Sequence, residues 1–192
     1  IIAGFLLTAV QTWTGVPGLS GKLLLALTLL WVAARLAWFV GMPVPVFLLL
    51  NGLFFPLVAL QMARSVWPVR QVRNYPLVIV LLVLSLLNAL VLYGVAIEND
   101  GLQRQAVLGG LWAVGAIMSI IGGRVIPFFT QRGLLRTEAV KAWPLLEHAL
   151  LYGTLLVVLC YAFGWALQPN PLIGVLFLFL AIGHLVRMAR WY

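Results

Sequence analysis

The residues able to do chemistry in this chain are few. Arg35, Arg124, Glu147, His148 and His184 are the ionisable groups in or beside its apolar stretches. His184 stands one helical turn before Met188. Residues at i and i+4 share a helix face, so an imidazole and a thioether can face one site. Imidazole ligates haem iron or copper, and a thioether is a softer copper ligand. His184 and Met188 are therefore the candidate metal ligands. The commoner role for a lone His in an apolar helix is a hydrogen bond to a neighbouring helix, and that alternative stays open. His148, beside Glu147, has the position of an interfacial residue. There is no Ser/His/Asp arrangement, no glycine-rich phosphate loop and no carboxylate pair at catalytic spacing, so hydrolase and kinase chemistry have no support. The single cysteine, Cys160, excludes an internal disulfide and a Cys-based metal motif.

The elements that must position these groups are set by hydropathy. The chain is 64% hydrophobic and 8% charged, with mean hydropathy +1.12. A soluble domain carries about 25% charged residues, so the expectation is an all-α, polytopic transmembrane helical bundle. Full spans are predicted at about 21–40, 44–63, 75–97, 105–124, 143–167 and 172–188. Residues 1–10 make part of a preceding span, too short to cross alone. Ser20 is placed to cap the first full span. Pro56 is expected to kink the second. Asn51 and Gln61 need polar partners, expected on other helices, and Asn88 lies inside the third span. Arg35 is five residues from the end of its span, where it can snorkel to the interface or pair with another helix. The chain opens on Ile1-Ile2-Ala3-Gly4, already apolar and without an initiator Met, and is expected to be part of a longer protein.

The stretch Ile117–Gly133 organises the rest. Gly115, Ser119 and Gly123 recur every four residues and give one helix face almost no side-chain bulk, so another helix can approach it closely. Gly122-Gly123 weakens the helix and Pro127 lacks the N–H to continue it, so the helix is expected to end near Arg124. A guanidinium placed there could hold an acidic group, or could simply mark the helix end.

The net charge of +8 comes from 12 basic and 4 acidic residues. Alternate loops carry Lys22; Arg64, Arg70 and Arg73; Arg124, Arg132, Arg136 and Lys141; and Arg187 and Arg190. The intervening loops carry only Arg104. This alternation puts the basic loops 64–73 and 124–141 on the cytoplasmic side. The charge is a topology signal in short loops and not a nucleic-acid surface.

Gly122-Gly-Arg-Val-Ile-Pro-Phe-Phe-Thr130 resembles the signature of the NnrS family, bacterial membrane proteins of the nitric-oxide response. Ala3-Gly-Phe-Leu-Leu-Thr-Ala-Val10 followed by Trp13-Thr-Gly15 is a second match, and Arg187 with Arg190-Trp191 a third and weaker one. The resemblance covers essentially the whole chain. It implies a haem- and copper-containing protein of the inner membrane, with further spans on both sides, acting in nitric-oxide metabolism or in resistance to nitrosative stress. It also implies a role for His184 as a ligand to iron or copper, with Met188 beside it, and for Arg124 or Arg35 as partners of haem propionates. The setting Ala34-Arg35-Leu36-Ala37 is similar to the family's. The chain departs from the pattern beyond Asn88, where Leu92 and Tyr93 stand in place of a frequent His. Two other classes stay open on the residues alone: a transporter or permease built on Pro56 and the buried Asn51, Asn88 and Arg35, and a non-catalytic membrane scaffold.

Overall fold

The computed structural model describes residues 2–135 and 143–191. The expectations for Arg136, Glu138 and Lys141 of the second basic loop fall outside them. Among the described residues the regular elements are all helical: α1 (Ile2–Thr14), α2 (Gly21–Val40), α3 (Val44–Val66), a 3-10 turn (Val72–Asn74), α4 (Tyr75–Ala96), α5 (Asp100–Gly133), α6 (Pro144–Ala162) and α7 (Pro171–Ala189). Six of them are long and apolar enough to cross a membrane, and α1 is not. The chain forms two compact units, Ile1–Gln103 and Arg104–Tyr192.

In the first unit α3 is the hub, packed against α4, α2 and α1. Leu6 and Val10 of α1, Val58, Ala59 and Met62 of α3, and Leu77, Val80 and Leu81 of α4 are all buried to within 1% of full. The helix bounds follow local chemistry. Gly41 takes the left-handed conformation, φ 63°, that ends α2. Gly21 begins α2 at φ 58°, and Ser20 occupies the cap position without a side-chain cap bond, against expectation. Past α3, the Gln71 side chain donates to the Trp13 carbonyl and accepts from Asn74, which ties the loop to the end of α1. Asn99 caps α5 by accepting from the Leu102 N–H at 2.9 Å.

The second unit is built on α6 and α7. Their contact is a reciprocal knob-and-hole. A Cβ on Gly153 would lie 2.8 Å from Leu180, and a Cβ on Gly183 would lie 2.7 Å from Leu150. Leu150 and Leu180 are themselves buried. Each leucine fills the space left by the other helix's glycine, the close approach that small residues permit between membrane helices. Trp112 of α5 adds a ring contact to Phe177 of α7 at 5.0 Å. The Asn170 side chain accepts from Leu172 N–H at 3.0 Å and, with Pro171 behind it, starts α7.

Two predicted bounds are corrected. α5 does not end near Arg124 but runs through Pro127 to Gly133. Proline withdraws one donor, leaving the carbonyl four residues back, that of Gly123, without its helical partner. The remaining helical bonds carry the helix past that single gap. α6 stops at Ala162, short of the expected 167, because Gly164 turns the chain at φ 76°. A Cβ there would also meet the Gln105 side chain at 2.8 Å.

Candidate functional site

Each unit holds one cluster of polar side chains within its apolar helices. In the second unit the centre is Arg187, 3% exposed near the end of α7. Its Nε donates to Glu147 Oε1 at 2.9 Å, and its Nη2 lies 2.7 Å from Glu147 Oε2. This is a side-on, two-point fork on the carboxylate. Nη1 donates to Ser119 Oγ and Nη2 to the Ser119 carbonyl, both at 2.9 Å. The Trp191 ring caps the cation, 5.2 Å from Cζ. Three helices thus meet at one guanidinium: α5 through Ser119, α6 through Glu147 and α7 through Arg187.

The small-residue face of α5 makes room for it. A Cβ on Gly123 would lie 1.6 Å from Arg187 Nη2 and 3.1 Å from Glu147 Oε2. Only glycine leaves the space that the ion pair occupies. Around Gly115 nothing comes within 4 Å of an added Cβ, so the face receives a side chain at Ser119–Gly123 and not a closely packed helix along its length. A guanidinium does hold an acid beside this face, and the one that faces Glu147 is not the expected Arg124. The cation facing the acid is Arg187, which spacing alone placed among the topology markers. Arg124 lies inside α5, partly buried and not a free cation.

His184 sits one turn before Arg187 on α7, partly buried, and Met188 one turn beyond His184 is 49% exposed. The helix therefore keeps both donors on one side, as the spacing predicts. Being on one side, they could be neighbouring ligands of a single copper, or His184 alone could meet a haem iron. They cannot be ligands on opposite faces of one haem. Among the described residues no group of three His, Cys, Asp or Glu comes together to hold a metal ion. His148 is exposed and stacks on Tyr152 at 6.1 Å, an interfacial placement. Cys160 is buried.

In the first unit Arg35 of α2 donates from Nη2 to Asn51 Oδ1 at 2.8 Å. Asn51, 5% exposed, donates to the carbonyls of Phe47 at 3.0 Å and Ala34 at 3.5 Å. Asn88 of α4 donates to the Asn51 carbonyl at 3.0 Å. Arg35 is an inter-helix partner, and this seam ties α2, α3 and α4. Its guanidinium is otherwise exposed and keeps donors for a further acceptor. Leu92 is buried against Ala37 and Phe47.

A chain whose described elements are all helical, with six apolar helices of membrane length and an ion pair between two of them, is a multi-pass integral membrane protein. The sequence model of one family, described as NnrS protein, matches residues 1–192. The chain belongs to the NnrS family. No curated protein and no solved structure matches it.

Proposed function

We propose that this protein is a haem- and copper-containing inner-membrane protein that acts in the response to nitric oxide, with residues 64–73 and 124–141 on the cytoplasmic side. Membership of the NnrS family supports the class of function. The observation that carries the site is the His184–Met188 pair on one face of α7, immediately beside a guanidinium locked to two other helices. The lock fixes the rotation of α7, and with it the direction in which His184 points. A bound metal would supply affinity for nitric oxide, a small, neutral and lipid-soluble gas that reaches an intramembrane site without a polar channel. Arg187 is engaged by Glu147 and Ser119, so a haem propionate would need another cation. Arg124 and Arg35 are the candidates that the family resemblance offers.

The test is the optical spectrum and metal content of the full-length protein in detergent, oxidised and reduced, before and after nitric oxide. A Soret or copper band that shifts with the gas, and that is lost in His184→Ala, is the expected result. A folded protein expressed with haem and copper available, and containing neither, would overturn the proposal. The permease reading has less to rest on, since Asn51 and Asn88 direct their amides to helix carbonyls and tie the seam shut. Substrate flux in proteoliposomes would revive it.

A further inference from the structure

Helices α2 and α3 are pinned at one end and separated at the other. At the pinned end Asn51 bonds to Arg35 and to the Ala34 carbonyl, and Trp38 meets the Phe47 ring edge-on at 4.6 Å. Toward the other end the pair opens into a groove of about 220 Å³ lined by Leu23, Ala26, Leu30, Leu57, Gln61 and Arg64 among others. Pro56 falls between the two regimes and leaves the Gly52 carbonyl without its helical donor, which frees the second half of α3 to diverge. The groove is apolar along its length and polar at one end only, where Gln61 and Arg64 stand. From Leu57 to Arg64 the helix rises about 10 Å, less than half of the roughly 30 Å hydrocarbon core, so the groove lies within one leaflet. Arg64 is exposed, and Trp67, one turn on, is 73% exposed and stacks on Tyr75. An exposed tryptophan stacked on a half-buried tyrosine marks headgroup depth.

We infer that this groove binds one anionic phospholipid, with an acyl chain along the leucines between α2 and α3 and the phosphate on Arg64 and Gln61. An apolar slot ending in a cation at headgroup depth matches a lipid in length, polarity and charge. A basic pocket between membrane helices is the kind of site that selects acidic headgroups. Such a site is independent of any metal. The lipid would complete the outer face of α2, which is the least buried of the six spans.

Native mass spectrometry of the full-length protein, released from micelles doped with phosphatidylglycerol or with phosphatidylcholine, tests this. The expected result is a one-lipid adduct that prefers phosphatidylglycerol. Arg64→Gln should weaken that preference about fivefold, the factor for one cation beside an anionic surface. Ala26→Phe, which fills the slot and leaves the charge, should remove the adduct altogether. Circular dichroism and gel filtration would confirm that both variants are folded. Equal binding of the two lipids, or a preference unchanged in Arg64→Gln, overturns the inference. So does a spectrum showing no adduct and a dimer that Ala26→Phe dissociates, which would put a second copy of the chain in the groove.

Discussion

Arg187 donates to a carboxylate, a hydroxyl and a backbone carbonyl at distances of 2.7 to 2.9 Å, and each partner leaves the others more exposed to loss. Removing one member of a buried pair strands the other charge, which costs about 3–5 kcal/mol when both are fully buried. The Glu147 side chain is 32% exposed, so about 3 kcal/mol is expected for Arg187→Gln or Glu147→Gln, measured by unfolding in mixed detergents. The double variant should cost clearly less than the sum, because both changes remove one interaction. Gly123→Ala offers a sharper check. Its methyl group would occupy the position of Nη2, so it should cost as much as losing the pair, and adding Glu147→Gln to it should cost little more. Full additivity of the two would mean that the guanidinium has another place to go. At the metal candidate, Met188→Leu should shift the optical signal of whichever metal the thioether ligates, copper or haem iron, and an unchanged spectrum would remove Met188 from the donor set.

The α6–α7 contact depends on two glycines facing two leucines, and overpacking such a contact costs about 1–3 kcal/mol. Gly183→Leu should therefore loosen the second unit by that amount, and Leu150→Ala introduced with it should restore part of the loss. In the first unit, Asn88→Leu should cost only about 0.6 kcal/mol, the average for a hydrogen bond between membrane helices. Asn51→Leu should cost more, since it also strands Arg35. Elements of this kind were legible where a local rule governs them. Residues 21–40 form a helix because a mostly apolar run of twenty residues is followed by a glycine able to turn left-handed. The end of α5 was not legible, since one proline amid strong apolar neighbours weakens a helix without deciding where it stops. The partner of Glu147 was not legible either. It lies 40 residues along the chain, and Ser119 lies 68 from Arg187. The small-residue face and the lone acid in a span were both visible, but only the packing of three helices selects which arginine joins them.

At the scale of the molecule, polar residues are so few that each has a structural assignment before it can have a chemical one. Asn51, Asn88, Ser119, Glu147 and Arg187 hold helices together; His184, Met188 and Arg35 keep donor atoms for something else. The helix lengths carry one more consequence. With 34 residues, α5 is about 51 Å long. Tilted by about 40°, near the limit for membrane helices, it still spans about 39 Å against a hydrocarbon core of roughly 30 Å. About 9 Å of that span therefore lies outside the hydrocarbon, among the headgroups or beyond them. The end that carries Phe128 and Arg132, where the arginine lies 4.2 Å over the ring, is polar enough to leave the hydrocarbon, and the proposal of a cytoplasmic 124–141 segment can be tested there. A cysteine placed at Gly133 should react with a membrane-impermeant maleimide in inverted vesicles and resist it in intact cells. The reverse pattern would turn the whole protein over in the membrane.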